Sequence, residues 1–133
     1  MARKRNDVPD AELAVLKVLW DRGRATIREI TDVLYPDGAA AHYATVQKLL
    51  ERLGDRQLVV RNADGRAHIF SAKVERDELI RHRLRDAADK LCEGSMTPLL
   101  TQLVKGRKLD AEELDELRRL VDELDRDAKG GRR

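Results

Sequence analysis

The chain has 133 residues, 39% charged and 41% apolar, and its formal net charge of +2 gives no guide to a partner. This length suits one domain, or a small domain with an appendage. A single cysteine, Cys92, excludes an intrachain disulfide, and the lack of an apolar signal core or membrane-length run leads us to expect a cytoplasmic protein.

Three helices are predicted in the N-terminal half. Apolar residues at helical spacing predict the first over 10–22. Thr26 and Glu29 have capping-box spacing and predict the start of a short second helix. The third is predicted over roughly 42–53, with an apolar stripe facing inward. On the first helix, three charged residues fall largely outside the stripe, namely Glu12, Lys17 and Asp21.

A small β-hairpin follows the third predicted helix. Residues 58–61 and 66–70 have the composition of strands, and 62–65 are predicted to connect them, with Gly65 supplying a positive φ. Helix, helix, turn, helix and hairpin, in that order, is the plan of a winged helix-turn-helix. We therefore predict a mainly α protein in which the hairpin forms a wing.

The C-terminal half is predicted to be entirely helical. Apolar spacing predicts helices over 74–92 and 96–104, and Asp110, with Glu113 three residues on, is predicted to cap a last one. The predicted domains are a winged helix over 1–72, a helical dimerisation domain over 73–127 and a disordered tail over 128–133.

The diameter of an α-helix matches the width of the major groove of B-DNA, and a hairpin beside the helix can reach the DNA backbone. Thr45 and Gln47 would then contact base edges, and the Tyr43 hydroxyl would contact a phosphate. Four cationic residues would lie near the backbone: Lys48, Arg52, Arg61 and Arg66. Polar residues opposite an apolar stripe also occur on any surface helix, so a winged helix that binds another protein remains an alternative.

Residues 8 to about 124 resemble the penicillinase-repressor family of bacterial transcriptional regulators, the BlaI/MecI/CopY type. The resemblance is carried by AELAVLKVLWDRGRATIREI, YATVQKLLERLGDRQLVVR, DGRAHIFSAKVERDEL and LDAEELDELRRLVDEL. It implies a homodimeric winged-helix repressor of a palindromic operator. It also implies that the third helix reads DNA, through Tyr43, Ala44, Thr45, Gln47 and Lys48, with the wing at Arg61 to Arg66.

One chain is too short to bury all the apolar residues of the C-terminal helices, and the simplest way to bury them is against a second copy of the chain. The candidate dimerisation residues are Leu84, Leu91, Leu114, Leu117, Val121 and Leu124. The alternative is that these helices fold back on the N-terminal domain of the same chain. A further alternative places a small ligand in the dimer interface, for which the sequence offers no obvious pocket.

Repression in the resembling family can be relieved by a protease that cuts between an asparagine and a phenylalanine. The equivalent pair here is Gln102-Leu103, so this position is the candidate cleavage site, although the changed pair argues against the same protease. We expect no metal or other cofactor, because the copper-responsive branch uses a cysteine cluster that this chain lacks. An enzyme is not expected, because no phosphate-cradling glycine loop, paired-cysteine motif or HExxH occurs.

Overall fold

The computed structural model describes residues 7–65, 67–106 and 108–130. The predicted fold class is confirmed, since these residues form a mainly helical chain with one antiparallel hairpin. The chain divides into two compact units, Met1–Leu84 and Arg85–Arg133. The elements are α1 (Asp10–Arg22), α2 (Ile27–Leu34), α3 (Ala40–Asp55), β1 (Val59–Asp64), β2 (Ala67–Ala72), α4 (Arg76–Leu91), α5 (Thr97–Gly106) and α6 (Ala111–Gly130).

Helix α1 has the predicted bounds, and its apolar stripe is buried. The prediction for Glu12 is wrong, because this side chain is 2% exposed. Its carboxylate pairs with the guanidinium of Arg56, which follows α3 and is itself largely shielded from solvent. A buried charge is tolerated when it is paired in this way. Lys17 and Asp21 are exposed, as predicted.

The capping box that starts α2 is confirmed. The Thr26 hydroxyl accepts a hydrogen bond from the Glu29 amide at 3.2 Å, and the Glu29 carboxylate accepts one from the Thr26 amide at 2.9 Å. Two orphan amides at the helix start are therefore satisfied. The short helix buries Ile30 completely, which fixes it against the core.

The hairpin pairs β1 with β2 antiparallel, from Val59 opposite Ala72 to Asp64 opposite Ala67. The predicted connection over 62–65 is wrong, because 62–64 belong to β1. The loop lies between Asp64 and Ala67, and its Gly65 adopts the positive φ, 65°, that short hairpin loops require. Arg66 lies outside the described residues.

A further pairing joins the hairpin to the segment before α2. The Ala25 amide donates to the Phe70 carbonyl at 2.9 Å, and the Phe70 amide donates back to the Ala25 carbonyl at 2.8 Å. Both residues are buried. This bridge places the connection between α1 and α2 beside the wing.

The first compact unit ends at Leu84, later than the predicted boundary at 72/73. The reason is that the segment after the hairpin joins the core, where Val74 is buried. The Trp20 indole donates to the Val74 carbonyl at 2.9 Å. On the first turns of α4, the Arg83 guanidinium donates to the Val8 carbonyl at 2.6 Å.

The second compact unit has almost no core of its own. Helices α5 and α6 contain no buried residue, and Ala88 is the one buried position among the described residues from 85 onward. Helix α6 starts as predicted, since Asp110 accepts a hydrogen bond from the Glu113 amide at 2.8 Å. It continues to Gly130 and so includes 128–130 of the tail that was predicted to be disordered, and 131–133 lie outside the described residues.

Candidate nucleic-acid interface

One face of α3 is exposed because the other face is buried in the first unit. Val46, Leu49, Leu50 and Leu53 form the buried stripe. Every α3 residue predicted to contact DNA lies on the exposed surface, namely Tyr43, Ala44, Thr45, Gln47, Lys48 and Arg52. The side chains of Gln47, Lys48 and Arg52 make no hydrogen bond or ion pair within the described part of the chain. Their donors and acceptors are therefore available to a partner.

Thr45 differs from its neighbours because its hydroxyl is already engaged. The hydroxyl donates to the Ala41 carbonyl, one helical turn earlier, at 3.1 Å. The group can still accept hydrogen bonds through its oxygen, and its methyl needs no partner of this kind. A contact with a base through the methyl or the oxygen lone pairs would therefore keep this hydrogen bond, whereas a contact that uses the hydroxyl hydrogen would break it.

The start of α3 carries a cation that the sequence analysis did not assign. The Arg28 guanidinium, on α2, lies 5.6 Å from the centre of the Tyr43 ring, which is the range of a cation–π contact. Tyr43 is 39% exposed. The two side chains border a cleft of about 340 Å³ that is also lined by Asp32, Gly38, Ala39 and Ala40. The positive end of the α3 dipole and the Arg28 charge therefore lie close together.

The turn between α2 and α3 is fixed by a small polar cluster. The His42 ring stacks on the Tyr35 ring with centroids 4.1 Å apart, and its Nε2 lies 3.3 Å from the Asp37 carboxylate. Asp37 also accepts a hydrogen bond from the Ala39 amide at 3.2 Å. That amide contact, with a smaller contribution from His42, holds the pKa of Asp37 below its ordinary value. The cluster ties the turn to the first residues of α3, where Ala39 provides no side-chain cap.

The wing contributes a second group of cations. Arg61 is exposed on β1, as predicted. Arg24, which the sequence analysis did not assign, borders a cleft of about 480 Å³ with Asn62 and Ser71 of the hairpin. The bridge between Ala25 and Phe70 explains this position, because it brings the residue before Ala25 alongside the strands. The structure thus groups six predicted residues on α3 and one on the wing within the first unit.

The described residues contain neither a cluster placed to hold a metal ion nor a helix able to cross a membrane. Within residues 7–65, 67–106 and 108–130, no three histidine, cysteine or acidic side chains are placed to hold a metal ion. No helix in the same part of the chain combines the length and apolar character needed to cross a bilayer. Exposed acids, Asp32 and Glu51, lie near the cations of α2 and α3, so the positive character of the surface is local.

The predicted dimerisation residues are exposed to different degrees. Leu84 lies at the end of the first unit and is 43% exposed. In the second unit, Leu114 and Leu117 are half-buried. The more open side chains are Leu91, Val121 and Leu124, with Leu124 68% exposed. At the candidate cleavage position, Gln102 and Leu103 are exposed within α5.

Comparison with known proteins places the chain among bacterial repressors. Residues 8–123 match the family model described as "Penicillinase repressor". The transcriptional regulator BlaI of Mycobacterium tuberculosis is 36% identical over 118 residues, which cover 87% of this chain and 83% of that protein. The penicillinase repressor of Staphylococcus aureus is 22% identical over 93% of this chain and 98% of that one. A solution structure of the DNA-binding domain of the repressor BlaI is 23% identical, with a TM-score of 0.48, over 58% of this chain and 93% of that chain.

Proposed function

The chain belongs to the penicillinase repressor family, and from this premise we propose that it is a DNA-binding transcriptional repressor whose helix α3 enters the major groove. The observation that carries the proposal is the exposed face of α3, where the side chains of Gln47, Lys48 and Arg52 make no hydrogen bond or ion pair within the described part of the chain. A surface that displays unsatisfied donors and acceptors at helical spacing suits the edges of bases.

Base reading is assigned to two side chains near the start of α3. The Gln47 amide, with both a donor and an acceptor, can bond to two atoms of one adenine. The methyl group of Thr45 suits the methyl group of a thymine, because the hydroxyl hydrogen is used within the helix. Ala44 lies three residues before Gln47 on the same helical face, and its small side chain lets the backbone approach closely.

Phosphate binding is assigned to the cations that surround these two residues. Lys48 and Arg52 continue along α3, and Arg28 lies at its start over the Tyr43 ring. Arg61 on the wing would contact the DNA backbone next to the groove that α3 occupies. Arg66 is predicted to make a contact of the same kind. Such contacts set the position of the protein on the duplex without selecting a sequence.

Dimerisation through the second unit is part of the proposal. Helices α5 and α6 bury no residue, while Val121 and Leu124 leave more than half of their side-chain surface in water. Covering such surface is favourable by about 25 cal/mol per Å². A second copy would cover it by a two-fold arrangement. The same symmetry would present two α3 helices to a palindromic operator, about 34 Å or a larger multiple of the helical turn apart.

Release by proteolysis at Gln102–Leu103 stays a prediction. The bond lies inside α5, and proteases require an extended backbone, so that α5 would have to unwind locally before cleavage. A cut there would separate α6 from the rest of the chain. That separation would remove four of the six proposed dimerisation residues, which all lie on α6.

The proposal is tested by comparing one base-reading residue with one phosphate-binding residue. We expect Gln47→Ala to reduce discrimination at particular base pairs by about 1–3 kcal/mol, and Arg61→Ala to weaken binding equally on all sequences. Fluorescence anisotropy on an operator fragment and on single-base variants measures both effects. Gln102→Ala, an exposed glutamine on α5, is the matched control. An unchanged sequence preference in Gln47→Ala would refute the assignment, whereas equal binding of all duplexes by the parent chain would favour the protein-interaction alternative.

A further inference from the structure

An apolar groove of about 380 Å³ lies between α1 and the first half of α4. It lies within the first compact unit and uses no residue assigned to DNA. Its apolar lining consists of Leu13, Trp20, Leu79, Ile80 and Leu84, of which Leu84 is also a predicted dimerisation residue. Ile80 is 48% exposed, although neighbouring Leu79 is buried in the core. The buried Leu79 therefore forms the floor of the groove, and the half-exposed Ile80 forms its open apolar wall.

The remaining residues that line the groove are all cationic, namely Lys17, Arg76 and Arg83. Arg76 lies over the Trp20 ring at 5.3 Å and pairs with Asp21 at 3.6 Å. Arg83 uses one guanidinium nitrogen to bond the Val8 carbonyl. The Lys17 side chain is exposed and makes no hydrogen bond or ion pair within the described part of the chain. At least one positive charge at the edge of the groove is thus uncompensated.

We propose that this groove binds a small amphiphilic carboxylic acid. The apolar part of the ligand would lie against Trp20 and Ile80, and its carboxylate would face Lys17 and Arg83. The volume falls in the range of small-ligand sites, which combine an apolar lining with a few polar groups that orient the ligand. The charge of the rim selects an anion over a neutral or cationic molecule. This site is separate from the DNA-reading face of α3, so its test does not depend on DNA binding.

Trp20 provides a direct assay, because it is the one tryptophan in the chain. Decanoate, added below its micelle-forming concentration to the full-length chain, should change the Trp20 emission in a saturable manner. Decanol, which has the same apolar tail without the charge, should bind clearly more weakly. Lys17→Gln should weaken decanoate binding by roughly threefold to fivefold, the effect of one partly exposed charge pair. Absence of a saturable change, or an equal response to decanol, would overturn the proposal.

A charge placed on the open wall gives a second test. Ile80→Glu should abolish decanoate binding, since it adds a negative charge and removes apolar surface at a half-exposed position. Val33→Glu changes an equally exposed residue on α2 and should bind decanoate like the parent chain. Circular dichroism verifies the fold, and light scattering should show an unchanged oligomeric state for Ile80→Glu. Conversion of a dimer into single chains by Ile80→Glu would assign the groove to a second copy and would contradict the proposal, as would unaltered decanoate binding.

Discussion

Substitution of Trp20 by phenylalanine should destabilise the first unit measurably. The change keeps most of the apolar ring but removes the indole N–H that donates to the Val74 carbonyl at 2.9 Å. A hydrogen bond of this kind contributes about 0.5–1.5 kcal/mol. The smaller ring also covers less apolar surface and loses part of its contact with Arg76, which adds a few tenths of a kcal/mol. We therefore expect a loss of about 1–2 kcal/mol in the free energy of unfolding.

Urea unfolding followed by far-ultraviolet circular dichroism measures this loss, since the variant lacks the tryptophan signal. Arg76→Gln is the control, because it removes the ring contact and the exposed pair with Asp21 but keeps the hydrogen bond. This control should lose less than about 1 kcal/mol, as exposed pairs contribute little. If Trp20→Phe unfolds at the same urea concentration as the parent, Trp20 does not anchor the segment that leads into α4.

Three further predictions concern pH, assembly and base reading. The pKa of Glu29 is lowered in the folded chain, chiefly by the hydrogen bond from the Thr26 amide. It therefore stabilises the fold above pH 4.5, its ordinary value, and that contribution is lost as pH falls through the lowered pKa. Glu29→Gln keeps the cap. When urea unfolding is measured across pH, the midpoint of this variant should depend less on acid pH than that of the parent chain, and an unchanged profile would refute this role of Glu29. Leu117→Asp should yield single chains in light scattering while Arg119→Asp, an exposed control, stays dimeric; dimers in both would exclude Leu117 from the interface. Thr45→Val, which keeps a methyl, should preserve base preference better than Thr45→Ser in anisotropy on single-base variants, and the reverse order would show that the hydroxyl is read.

Features that depend on neighbours in the sequence were predictable. The stripe of α1 and the caps at Thr26 and Asp110 follow from residues within a turn or two of each other, where spacing alone decides which groups meet. The exposed face of α3 was predictable for the same reason. Periodicity identifies the buried stripe, and the opposite surface follows from helix geometry.

Features that depend on distant residues were not predictable from one sequence. Glu12 is buried because a guanidinium 44 residues away pairs with it. The first unit includes the start of α4 because the Trp20 indole reaches a carbonyl 54 residues away. Spacing within α1 contains no information about either partner, so both residues were assigned by local pattern alone.

The exposure of the predicted α3 residues could be predicted from the sequence, but the groups that surround them could not. Arg28 belongs to a different helix from Tyr43, and their contact depends on how α2 packs against α3. Arg24 is positioned by the bridge between Ala25 and Phe70, which has no sequence signal of its own. The hydrogen bond from the Thr45 hydroxyl to the Ala41 carbonyl depends on the side-chain rotamer. The rotamer therefore determines which atoms of Thr45 are available to a base.

The central claim is that α3 reads DNA in two symmetry-related copies, and selection from a pool of random duplexes tests it most directly. The purified full-length chain is incubated with the pool, and the bound duplexes are sequenced. The account predicts enrichment of an inverted repeat whose half-sites are centred one helical turn, about 34 Å, or a larger multiple of the turn apart. Bound duplexes as random as the starting pool, or a single unrepeated motif, would contradict it.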